Sequence, residues 1–255
     1  MLTETREKLK TLIEASSRIV VFTGAGISTE SGISDYRSQG GIWDRYQPVT
    51  LQEFLRDEDK RREYWRRKKD LYAQMRDARP NEGHRAIARL EQTGKLLGVV
   101  TQNIDGLHQQ AGSRNVIELH GTNREVMCLN CNERSPFEPV YRRLTQGEEI
   151  PLCKSCGGLL KPKTISFGQN LDPEVLNRAI EWSRTCDLML VAGSTLIVEP
   201  AASLPRIAKE NGARLVIVNR DPTPLDSVAD VVVQTQIGPF LSSAIQDHNT
   251  RAHPP

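Results

Sequence analysis

No stretch of this sequence stays apolar for the ~18 residues that crossing a bilayer requires. Its opening, MLTETREKLK, carries acids where a secretion signal would be apolar. The expectation is a soluble, cytoplasmic protein with no membrane partner. Excess charge of one sign is also missing. Lys and Arg number 34 against 32 Asp and Glu, a net +2, which is too small a field to argue for nucleic acid as a direct ligand. A disulfide framework is lacking too, because the five cysteines are an odd count without a secretory context. No internal repeat is found.

What is present suits a packed globule. Hydrophobic residues make up 38% and charged residues 26% of 255 positions, enough for a buried core and against wholesale disorder. Residues 4–16 read as an amphipathic helix with Leu9, Leu12 and Ile13 on one face. Short apolar runs follow at 18–23, 96–101, 116–119, 188–192, 215–218 and 231–233, with helical patterns at 83–93, 173–184 and 200–211 between several of them. Runs that are apolar throughout are strands covered on both faces, and their alternation with helices predicts an α/β fold on a doubly wound parallel sheet. Two segments break the rhythm. Residues 46–80 are charged and helical, and residues 124–164 show little apolar periodicity. Both read as inserts that form a second, smaller lobe. The main domain is then 1–45, 81–123 and 165–247, with a polar tail at 248–255.

The 124–164 insert carries Cys128-x2-Cys131, 21 further residues, then Cys153-x2-Cys156. Two such knuckles supply the four thiolates of a tetrahedral zinc site, and a full sulfur shell makes the metal structural. Zinc is expected to hold together a lobe that lacks a hydrophobic core. Cys186 reads as an ordinary buried thiol.

The run at 18–23 leads into Gly24-Ala25-Gly26-Ile27-Ser28-Thr29, a strand followed by a glycine turn. Such a turn brings backbone N–H groups up to phosphate, with Ser28 and Thr29 adding hydroxyls. The glycines at 24, 26 and 32 do not match G-x-G-x-x-G. Three further polar clusters follow strand ends: Gln102-Asn103-Ile104-Asp105, Gly193-Ser194-Thr195 and Asn219-Arg220-Asp221. Open α/β sheets bind ligands at those ends. Each cluster alone reads equally well as caps and loops; together they point to one crevice. His120 also follows a strand, eight residues before Cys128, where sheet meets insert. Its imidazole suits a general base. His84, His108, His248 and His253 read as structural.

Taken together these segments, with Gly32-Ile33-Ser34-Asp35-Tyr36-Arg37, His120-Gly121, Phe167-Gly168 and Val218-Asn219, resemble the sirtuins, the NAD-dependent protein deacylases, in a bacterial-type form. The matching pieces run in the family's order across nearly the whole chain. The resemblance implies a Rossmann-like NAD domain, a zinc-bearing lobe and an interlobe cleft that takes NAD and an acyl-lysine protein or peptide from opposite sides. It implies release of nicotinamide and O-acyl-ADP-ribose, with His120 as general base and Asn103 beside the ribose. Asp105 and the Ile104 backbone would hold the nicotinamide carboxamide, and Gln102 and Asn103 would meet the ribose and its water. Gly24, Ala25, Gly26, Ser28, Thr29, Asp35, Tyr36 and Arg37 would line the phosphate and nicotinamide side. Gly193, Ser194, Thr195, Asn219, Arg220 and an Ile237 backbone contact would hold the adenosine half. The peptide would add as a strand between Ile165-Ser166-Phe167-Gly168 and Leu196–Glu199, which includes Val198, and residues 34–49 would form a cofactor lid.

Three positions depart from the common family pattern: Tyr36 for Phe, Gln169 for Glu, and Ser166 for an apolar residue. Tyr64 and Arg67, three apart and hence on one helix face, resemble the pair that desuccinylating and demalonylating sirtuins use. The Tyr-Trp-x-Arg segment with Asp-Tyr-Arg also resembles the lipoamidase and ADP-ribosyltransferase branch. The acyl preference therefore stays open between acetyl, succinyl or malonyl, and lipoyl-type groups, with mono-ADP-ribosyl transfer at the same NAD site as an alternative.

Overall fold

The computed structural model describes residues 2–35 and 47–245. The lid segment at 34–49, with Tyr36 and Arg37, lies mostly outside the described residues, as does the 248–255 tail. Among the described residues no helix is long and apolar enough to cross a membrane.

Six strands form the main sheet in the order β3-β2-β1-β7-β8-β9, and every neighbouring pair is parallel. They are β1 (Ile19–Thr23), β2 (Leu96–Thr101), β3 (Val116–Glu118), β7 (Leu188–Ala192), β8 (Arg214–Asn219) and β9 (Val231–Gln234). β1, β7 and nearly all of β8 are buried from end to end, because both faces are covered. The two-residue period of a strand divides β1 cleanly. Ile19 and Val21 pack into one core with helices Leu2–Ala15, Glu82–Gln92 and Ile237–Ala244. Val20 and Phe22 pack into the other with helices Pro173–Thr185 and Ser203–Glu210.

The small lobe holds an antiparallel sheet of β4 (Gly121–Cys128), β5 (Arg134–Pro136) and β6 (Leu160–Thr164), in the order β5-β4-β6. Helices Leu51–Arg56, Glu58–Asp77 and Phe137–Thr145 complete it. The expectation that this lobe lacks an apolar core is wrong. Phe54, Tyr64, Trp65, Val126, Phe137, Val140 and Leu144 make a core of their own, with Trp65 edge-on to Phe137 at 6.0 Å between ring centroids. The physical reason is that neither insert closes a core alone. Helix Glu58–Asp77 supplies Trp65 and helix Phe137–Thr145 supplies the facing ring. A fourth cluster, Ile33, Met75, Ala78, Ile104 and Leu107, packs the far end of helix Glu58–Asp77 against the loops that follow β1 and β2, and so joins the lobes beside the crevice.

Candidate active site

The strand order reverses between β1 and β7, and their outgoing loops meet there, the place where open parallel sheets bind ligands. The meeting is close. A Cβ at Gly24 would lie 2.7 Å from the Gly193 carbonyl oxygen, and one at Gly26 would lie 2.9 Å from it. Gly193 itself has φ +69°, and a Cβ there would fall 2.3 Å from the Ile27 nitrogen. Glycine is therefore required on both sides of the contact. Ala25–Ser31 then turns as a 3-10 helix.

Polar groups from three strand ends, those of β1, β2 and β7, knit together behind this loop. The buried Asn103 donates from Nδ2 to the Gly24 carbonyl at 3.0 Å and to Ser28 Oγ at 3.1 Å. Ser28 Oγ donates to Asp105 Oδ2 at 2.8 Å, and the Leu107 N–H donates to Asp105 Oδ1 at 2.9 Å. Burial pushes the Asp105 carboxyl above its ordinary range, against the opposing pull of the Leu107 amide and the Ser28 hydroxyl. Gln102 Nε2 donates to Ser194 Oγ at 2.8 Å. Asn219, at the end of β8, is buried and donates from Nδ2 to the Asp221 carbonyl at 2.7 Å. Residues 24–28, 102–105 and 193–194 thus share one network, while Thr29 turns back on the Gly26 carbonyl at 2.9 Å.

His120 is half-buried where the main sheet gives way to β4. Its Nδ1 lies 3.0 Å from the Gln102 carbonyl oxygen. A carbonyl only accepts, so Nδ1 carries the proton and the basic lone pair falls on Nε2. The His120 carbonyl in turn accepts the Ile165 N–H at 2.8 Å. That bond ties the histidine to the segment leaving β6, where Phe167 stands 47% exposed; Ile197, in the loop after β7, is 61% exposed. Gln169 Oε1 accepts the Ser166 N–H at 3.2 Å.

The four cysteines converge, with all Sγ atoms within 4.8 Å of one another. Cys128–Cys156 and Cys131–Cys153 Sγ separations are 3.5 and 3.8 Å. A tetrahedron of ~2.3 Å Zn–S bonds has edges of about 3.8 Å, so the cluster fits zinc. Backbone N–H groups of Asn130, Cys131 and Gly158 point at these sulfurs at 3.4–3.5 Å, as thiolate ligands require. A Cβ at Gly158 would lie 3.0 Å from Cys128 Sγ, so the second knuckle closes only around a glycine.

The Sir2 family profile matches residues 24–200. The chain belongs to the Sir2 family. An NAD-dependent protein deacetylase of Thermodesulfovibrio yellowstonii is 45% identical over 92% of this chain and 91% of its own length. NAD-dependent protein deacylase 1 of Archaeoglobus fulgidus is 40% identical over 94% and 96%. A solved Sir2 variant with a deacetylated p53 peptide and 3′-O-acetyl ADP ribose superposes with a TM-score of 0.89 at 37% identity, covering 95% of this chain and 98% of that one. A Sir2 homolog–NAD complex gives 0.84 at 38% identity over 94% and 92%.

Within this Sir2 family member several residues sit differently from a simple ligand-lining picture. The Ile237 N–H is already taken by Glu30 Oε1 at 3.1 Å, as is the Gly238 N–H at 3.0 Å. Glu30 therefore caps the last described helix, and nothing in the glycine turn's pattern signals that role. Tyr64 lies in the small-lobe core, edge-on to Phe54 at 4.8 Å. The Arg67 guanidinium meets the Glu63 carboxylate and the Gln47 carbonyl. His84 and His108, read from the sequence as structural, lie buried beneath the crevice with their rings 4.8 Å apart.

Proposed function

We propose that this Sir2 family member is an NAD-dependent protein-lysine deacylase in which His120 is the general base. The observation that carries the reading is the His120 Nδ1–Gln102 carbonyl bond. It fixes the tautomer with the base on Nε2 in a crevice that the glycine contact and the Asn103–Ser28–Asp105 network shape for a dinucleotide. NAD, when bound, supplies a ribose carbon as acceptor for the acyl oxygen, with nicotinamide as leaving group. The glycine-lined turn and Ser194 would hold its phosphates and adenosine half. Asp105 and the Ile104 backbone would hold the carboxamide. Asn103 would order the ribose and exclude stray water, and His120 Nε2 would take the proton from a ribose hydroxyl. The four cysteines would hold zinc away from the chemistry, as a staple of the small lobe.

Exposure of Phe167 and Gly168 in one segment and of Ile197 and Glu199 in the other supports addition of an acyl-lysine peptide as a strand. Arg67 already faces Glu63, so an acyl carboxylate would compete with a resident one. That argues for uncharged acyl chains, acetyl or lipoyl, ahead of succinyl. The test is a panel of acetyl-, lipoyl- and succinyl-lysine peptides with mass-spectrometric product identification. The expected products are free nicotinamide and O-acyl-ADP-ribose, and His120→Ala lowers turnover by about 100-fold or more while still binding NAD. ADP-ribosylated protein without O-acyl-ADP-ribose would overturn the reading. Unchanged turnover of all three peptides in Arg67→Ala would remove Arg67 from the acyl pocket.

A further inference from the structure

A run of buried polar groups lies under the crevice and ends on the backbone of Asn103. The Asn103 N–H, which can only donate, meets Thr101 Oγ1 at 3.0 Å. Thr23 Oγ1 donates to Thr101 Oγ1 at 2.8 Å and lies 2.9 Å from His108 Nε2. With its own proton on Thr101, Thr23 accepts from His108 Nε2–H. The run stops at His108. His108 Nδ1 and His84 Nε2 have no hydrogen-bond partner among the described residues, and the two rings meet only by packing, at 4.8 Å and 59°.

We propose that His108, Thr23 and Thr101 form a hydrogen-bond relay that positions Asn103 for the reaction. The relay holds the backbone of Asn103, while Gly24 and Ser28 hold its side chain. It rests on the reading above that Asn103 works beside the ribose. Burial keeps the His108 imidazole neutral, well below its usual value, so it offers Thr23 one ring N–H. Simple filling of the space beneath β1 and β2 needs no hydroxyls, and buried polar groups are costly unless bonded. His108, Thr23 and Thr101 are positioning residues, because none of them belongs to the proposed NAD contacts.

The test compares Thr23→Val and Thr101→Val, which keep shape and lose the hydroxyl, with Thr23→Ser and Thr101→Ser, which keep it. Two readouts apply: steady-state nicotinamide release with an acyl-lysine peptide, and amide hydrogen exchange at Asn103. The Val variants are expected to lose about tenfold or more in kcat with KM for NAD within about threefold. Exchange at Asn103 should quicken by a similar factor, and the Ser variants should restore both. His108→Gln, which keeps a donor for Thr23, should exceed His108→Leu in both readouts; that comparison decides the matter if a Val variant fails to fold. Val and Ser variants that behave alike, or unaltered exchange at Asn103, would overturn the relay. A wild-type protein that releases no nicotinamide defeats the deacylase reading instead, and amide exchange still judges the relay.

Discussion

Asp105 shows how one residue can serve the site at the expense of the fold. Its carboxyl is buried and its ionised form is penalised, only partly offset by Leu107 and Ser28. An acid whose folded pKa is raised makes the protein less stable as pH rises through that value, since the native state holds a proton that the unfolded chain has released. Stability should therefore increase as pH is lowered through the folded value toward 3.8, the ordinary value for Asp. Asp105→Asn removes the buried charge. Thermal denaturation across that window should show this gain in the wild type and not in the variant. Nicotinamide release in the same variant should fall by about tenfold or more, because an amide cannot replace the carboxylate acceptor. Equal pH slopes for the two proteins would refute the account.

Elements were legible where one local rule governed them. The strands of the main sheet are covered on both sides, so each leaves a continuous apolar run; the β2 and β7 runs coincide with the observed strands, and the 18–23 run exceeds β1 by one residue. The small lobe was less legible because its rule is not local. Phe137, Val140 and Leu144 are spaced for one helix face, yet they are separated by Pro139, Arg142 and Arg143, and the rings that meet Phe137, Tyr72 and Trp65, lie 65 and 72 positions earlier in the chain. The relay was invisible for a similar reason. Thr23 and Thr101 look like ordinary strand ends until parallel pairing sets them side by side. The glycine contact is the sharpest element-level test. Gly193→Ala puts a Cβ 2.3 Å from the Ile27 nitrogen at φ +69°. It should destabilise the protein by about 2 kcal/mol or more, through αL strain plus the clash. NAD affinity by calorimetry should fall with it, and a variant that melts and binds like wild type would show that the loops do not touch.

For the whole molecule, the apolar core of the small lobe changes what zinc is expected to do. A lobe held only by metal would unfold when the metal is removed. With Trp65, Phe54 and Phe137 packed together, chelation should instead lower the melting temperature and loosen the 128–157 region, while far-UV circular dichroism keeps most of its helix signal. The protein should bind one zinc per chain, and collapse of the entire spectrum on chelation would restore the metal-only picture. The fourth apolar cluster and the His120–Ile165 bond join the lobes at the rim of the crevice, so in the proposed reading the relative tilt of the lobes would set the separation between base and peptide.

Glu30 lies in the nucleotide loop, and its carboxylate holds the first amides of a helix that begins 207 residues later. During synthesis that loop is made early, yet its acid has no helix to grip until the ribosome has released residues 237 and 238. A nascent chain therefore carries that loop without its helical brace through most of its translation, and a turn of backbone made late fastens one made early.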